Sequence, residues 1–167
     1  MRDSARPWAR WLGLSIAVLV ADLASKAWVL KAFTPGDVVP VTPFFNLVLV
    51  FNTGAAFSFL AGAGGWQRWF FIAVSTVVSV GIVWLLRRHP GDRLMSCALA
   101  LVLGGALGNL YDRVTLGKVV DFVQLHAAGY YWPAFNVADS AISVGVVLLV
   151  WDSIRDGLAT RARRQEP

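Results

Sequence analysis

The chain has 167 residues, 57% of them hydrophobic and only 15% charged, with a net charge of +5 and a mean hydropathy of +0.60. Soluble domains carry about 25% charged residues, so the composition excludes an ordinary soluble domain and points to one membrane-embedded domain over 1–167. The basic residues fall in clusters at the ends of apolar stretches instead of forming one patch, so no nucleic-acid partner is expected. Cys97 is the only cysteine and leaves no internal disulfide. His89, His126 and the lone Glu166 form no metal-ligand pattern, so neither metal nor cofactor is expected.

A spanning helix needs roughly 20 mostly apolar residues. Four segments supply this, at 12–32, 66–86, 94–110 and 135–151. The first resembles a signal-peptide core, but apolar character resumes in "AWVL" after Lys26 and no small-residue cleavage site precedes a polar start. It is therefore read as a retained span. Ten arginines lie in the N-terminal tail, the 87–93 connection and the C-terminal tail, against four basic residues on the opposite side. The positive-inside bias then places both termini in the cytoplasm and turns the connections 33–65 and 111–134 outward. The Val- and Phe-rich run "DVVPVTPFFNLVLVFNTGAAFSFL", punctuated by Pro40 and Pro43, predicts short strands forming a small extracytoplasmic sheet. The tail from about 158 to 167 reads as disordered and basic.

Ionisable groups inside an apolar span are costly and need a reason. Asp22 and Lys26 are four apart on the first span and can pair as a structural element. Gly104 and Gly108 form a G-x-x-x-G that allows close helix approach. Asn109, Asp112 and Arg113 follow at the predicted outer boundary, where Asp112 or a lipid headgroup could partner Arg113. Asp121 sits in an apolar stretch, "VVDF", and Asp139 in the first turn of the fourth span. Stabilisation of a helix N-terminus explains Asp139 alone. A pair of carboxylates sharing one proton explains both: one serves as general base for water while the other donates to the carbonyl under attack. A serine hydrolase lacks its G-x-S-x-G elbow here. A metal-dependent lipid transferase would need carboxylates on the cytoplasmic side. A non-enzymatic transporter or proton relay is the remaining alternative, although it calls for ionisable groups spread through the depth of the bundle.

The motifs "DLASKAW", "FNTGAAFSFL", "GGALGNLYDRVTLGKVVDF" and "FNVADSAISVG", in that order on four spans, closely resemble the signal peptidase II family. Leu23 stands where that family often has glutamine. The resemblance implies an aspartyl endopeptidase of the bacterial inner membrane that cleaves diacylglyceryl-modified prolipoproteins just before the lipidated cysteine. It implies Asp121 and Asp139 as the catalytic dyad, with Asn52, Gly54, Asn109, Arg113 and Asn136 around the substrate. The expected partners are that substrate and membrane lipids, and the chain is expected to act as a monomer. "LHAAGYYW" in the second outward connection is a candidate lid over an outward-facing site.

Overall fold

The computed structural model describes residues 8–54, 64–89 and 91–163, with the backbone alone over 156–163. Its elements in chain order are α1 (Ala9–Ala32), β1 (Val38–Thr42), β2 (Phe45–Asn52), α2 (Trp66–Arg88), α3 (Arg93–Thr115), β3 (Val119–Ala127), β4 (Tyr130–Tyr131) and α4 (Val137–Arg163). Among the described residues, four helices are long and apolar enough to cross a membrane. The third predicted span ends too early, because α3 runs to Thr115 and carries Asn109, Asp112 and Arg113 inside the helix. The predicted disordered tail is also corrected: α4 continues to Arg163, and only 164–167 lie outside the described residues.

The helix α3 is central and packs against each of the other three. Lipid tails are as apolar as leucine, so helices in a bilayer associate through close backbone contact at small residues. A Cβ added at Gly104 would lie 2.6 Å from the Ser15 carbonyl oxygen of α1. One at Gly105, a position the G-x-x-x-G pattern does not mark, would collide with the Ala138 carbonyl of α4. The Ser15 hydroxyl donates to the Ala100 carbonyl at 2.9 Å and ties α1 to α3 at the same depth.

At one end of the bundle the four strands form an antiparallel sheet in the order β1-β2-β3-β4. The predicted strands in 33–54 are present, while β3 and β4 were not anticipated. The segment 55–63 lies outside the described residues. Val29 of α1, Leu49 of β2, and Val120 and Phe122 of β3 form the core beneath the sheet. Alternation along a strand sends Asp121 to the face opposite Val120 and Phe122. The register of β2 against β3 shifts between Leu47 and Val50, which sets Val50 opposite Asp121 and Asn52 opposite Val119. Beyond β3, Ala128 (φ 49°) and Gly129 (φ 82°) turn the chain into β4. Left-handed backbone at two successive residues matches the twist of a tight hairpin. The candidate lid is therefore an extension of the sheet.

Candidate active site

The site is assembled where β3 meets the start of α4. The Phe135 carbonyl accepts from the amides of Phe122 and Val123 at 3.0 and 2.8 Å, and the Phe135 amide donates to Val123 at 2.9 Å. This stitches the approach to α4 onto β3, one residue before Asn136. The Asp139 amide donates to Asn136 Oδ1 at 2.9 Å, and Asp139 Oδ2 accepts from the Asn136 amide at 3.3 Å. Such a reciprocal pair satisfies two of the amides that a helix start leaves unbonded. Asp139 thus does stabilise a helix N-terminus, and it retains a second oxygen.

That oxygen, Oδ1, accepts from Asn109 Nδ2 at 2.8 Å. Asn136 Nδ2 donates to Asp121 Oδ1 at 2.7 Å, and Asn52 Nδ2 donates to Asp121 Oδ2 at 3.2 Å. Asn52 is itself fixed, since its Oδ1 accepts from the Gly54 amide at 2.9 Å. One asparagine, Asn136, consequently reaches both carboxylates, donating to Asp121 from its side-chain amide and to Asp139 from its backbone amide, while its Oδ1 holds the Asp139 backbone. Burial and the neighbouring Asp139 charge push the Asp121 carboxyl up from 3.8 to about 7, against the opposing pull of Asn52, Asn136 and Lys26. Desolvation and a like charge both disfavour the ionised form.

A cavity of about 490 Å³ opens beside the pair, lined on its polar side by Asn52, Asn109, Arg113, Asp139 and Ser140 and elsewhere by apolar groups such as Val119, Leu125, Phe135 and Val144. Asp121 does not line it. It lies behind Asn52 with 2% of its surface exposed. Among the described residues no three His, Cys, Asp or Glu side chains converge as a metal site requires.

A family model for signal peptidase (SPase) II matches residues 14–155, which is most of the chain. The chain belongs to the signal peptidase II family. It is 56% identical over 145 residues to a lipoprotein signal peptidase of Ralstonia nicotianae, covering 87% of this chain and 84% of that one. To the lipoprotein signal peptidase of Burkholderia pseudomallei it is 52% identical over 154 residues, covering 92% and 93%. A bacterial membrane enzyme structure obtained by the in meso method at 2.3 Å superposes with a TM-score of 0.83 at 29% identity, covering 95% of this chain and 94% of that one. The protein is therefore a multi-pass peptidase of a bacterial membrane, and the transporter alternative is set aside.

Within this signal peptidase II fold, seven sequence-derived site residues converge: Asp121, Asp139, Asn52, Gly54, Asn109, Arg113 and Asn136. Arg113 bonds backbone carbonyls and not the anticipated Asp112. Its Nη2 donates to the Gly54 carbonyl at 2.8 Å and its Nη1 to the Asn109 carbonyl at 3.3 Å, with the guanidinium 4.9 Å from the Phe71 ring. Backbone carbonyls carry no sequence signature, so spacing could not reveal them. The Asp22–Lys26 pair exists, with Lys26 Nζ 2.7 Å from Asp22 Oδ2, but it is not isolated: Asp112 Oδ2 lies 2.9 Å from the same ammonium. Sequence reasoning left Asp112 at a solvated boundary, whereas it is only 3% exposed. The four-residue spacing of Asp112 from Gly108 on the close-packed helix face was the available signal.

Proposed function

We propose that Asp121 and Asp139 are the catalytic dyad and that the chain cleaves diacylglyceryl-modified prolipoproteins immediately before the lipidated cysteine. The observation that carries this reading is that Asn136 donates to two carboxylates, from its side chain to the buried, elevated Asp121 and from its backbone amide to Asp139, which faces the cavity. Asp121 keeps the shared proton at rest, on Oδ2 beside Asn52, where the donor contact is the longer one. Asp139, which faces the cavity, is the general base and takes a proton from the water that attacks the scissile carbonyl. Asp121 gives its proton to the carbonyl oxygen, forming a tetrahedral diol. As the diol collapses, Asp139 returns a proton to the departing amine and Asp121 recovers one from a hydroxyl, so the pair ends as it began. Asn52 and Asn109 supply amide donors beside the reacting groups. Arg113 shapes the cavity wall along which the peptide runs, and the Gly54 carbonyl holds its guanidinium in place.

The same reading makes the chain one protease domain that works as a monomer in the inner membrane, with both termini in the cytoplasm. The ten-to-four bias of basic residues supports that orientation. The sheet and the site then face outward, where Trp66, Trp69, Tyr130, Tyr131 and Trp132, each about half exposed or more, form an interfacial aromatic belt against the lipids. The test is cleavage of a diacylglyceryl-modified prolipoprotein by wild type, Asp121→Asn and Asp139→Asn, with the new N-terminus sequenced. Wild type should release a peptide beginning at the modified cysteine, and both variants should be folded and inactive. Near-normal turnover by either variant would remove that aspartate from the chemistry.

A further inference from the structure

We infer that Lys26 is a positioning residue for the reaction: through Asp22 and Asp112 it sets the spacing between the two catalytic aspartates. The inference rests on the reading of Asp121 and Asp139 as the dyad. Lys26 is 2% exposed, and three acceptors lie within hydrogen-bond reach of its Nζ: Asp22 at 2.7 Å, Asp112 at 2.9 Å and Asn109 Oδ1 at 3.0 Å. Each carboxylate has a second commitment. Asp22 Oδ1 accepts from the Ala138 amide at 2.9 Å, and Asp112 Oδ2 accepts from the Val120 amide at 3.1 Å. Ala138 immediately precedes Asp139 and Val120 immediately precedes Asp121. The backbone entering each catalytic residue is therefore held by a carboxylate, and one ammonium joins the two carboxylates. The third acceptor of Lys26 extends the same logic, because Asn109 donates from its other end to Asp139.

Independent packing features enforce the arrangement. A Cβ at Gly108 would run into Asp22 Oδ2, so the glycine makes the seat in which Asp22 reaches α4. An ion pair needed only to glue α1 to α3 would require neither backbone amide. Placing the dyad to within a fraction of an ångström does require them, since small misplacements far from the reacting bond are expensive in rate.

The decisive variant removes the tie while keeping the amide acceptors and leaving no uncompensated buried charge: the triple substitution Lys26→Met, Asp22→Asn, Asp112→Asn. Its kcat on the diacylglyceryl-modified substrate should fall at least thirtyfold with KM within about twofold of wild type. The upper limb of its pH–kcat profile should also move, as the charged cluster beside Asp121 has gone. Asp112→Asn alone keeps both Lys26 and the Val120 acceptor, and it serves should the triple variant not fold. It is expected to lose kcat severalfold at unchanged KM, with Asp112→Leu losing far more. Wild-type kcat and an unmoved pH profile in a folded triple variant, or equal kcat for Asp112→Asn and Asp112→Leu, would overturn the inference. Asp121→Asn and Asp139→Asn measured beside them separate the two failures: if either stays active the dyad assignment falls first, and if both are dead only the role of Lys26 is at stake.

Discussion

Replacing Asp121 by asparagine makes a sharp demand on the pH dependence of folding. The Asp121 carboxyl rises from 3.8 to about 7 in the folded chain, and one pKa unit corresponds to 1.36 kcal/mol, so its ionisation costs the fold roughly 4 kcal/mol. A raised carboxyl binds its proton more tightly when folded than when unfolded. The contribution of this group to wild-type stability is thus fully present below pH 3.8, declines as the pH climbs to about 7, and is flat above that. An asparagine never ionises and escapes the decline. It does meet two donors, Asn52 and Asn136, where a carboxylate offered two acceptors. One of those contacts must be lost, at about 1–3 kcal/mol. Asp121→Asn should therefore be less stable than wild type near pH 4 and more stable near pH 8, the difference swinging by roughly 4 kcal/mol. Unfolding of both purified proteins, followed by heat or denaturant at half-unit pH steps in one detergent, would reveal the crossing. A constant offset from pH 4 to 8 would refute the elevated carboxyl and with it the proton assignment. In the same window wild-type kcat should fall above pH 7 as the proton donor is lost.

Three further outcomes follow from the packing. Gly108→Ala should cost about 1–3 kcal/mol by overpacking the α1–α3–α4 contact, whereas Gly13→Ala, with open space around it, should be neutral or slightly stabilising; paired thermal melts settle this. Arg68 donates to the Arg113 and Val114 carbonyls at 2.8 and 2.9 Å and closes the C-terminal end of α3. Arg68→Ala should lower the melting temperature while leaving the pH–kcat profile in place. Arg113→Lys loses the fork that reaches two carbonyls while resting on Phe71, and kcat/KM should drop about tenfold, chiefly through KM, in steady-state cleavage assays.

Much of the fold was legible because bilayer thickness leaves a strong mark on composition: each of the four spans was found from apolar length alone. Where reading failed, it failed at the sheet end of α3. Hydropathy treats Asp112 and Arg113 as a helix reaching water, yet their charges are satisfied internally, by Lys26 and the Val120 amide in one case and by carbonyls in the other. A helix can continue through charged residues when its neighbours bring compensation, and that compensation comes from α1, 86 positions away for the Asp112–Lys26 pair. The strand β3 was also missed, although "VVDFVQL" has the β-branched and aromatic content of a strand. The two aspartates stood out in the sequence because nothing structural explained Asp121. Their common clamp was readable in principle, since an Asn three residues before an Asp at the mouth of an apolar run is a helix-start signature. The buried position of Asp121 behind Asn52 was not, because it depends on the β2 register shift.

The two aspartates stand on opposite sides of the usual bargain between durability and activity. Asp121 is a burden on the fold above neutral pH, and a mutant lacking it should be sturdier there and, on the proposed mechanism, inactive. Asp139 belongs to the cap of α4, so its loss removes chemistry and loosens a helix together. Selection for robustness alone would discard the first residue and keep the second. In a population screened only for abundance, inactive alleles should therefore accumulate at position 121 and be purged at position 139. The proposed dyad should then leave two different genetic signatures, because one carboxylate is disfavoured by the scaffold and the other is part of it.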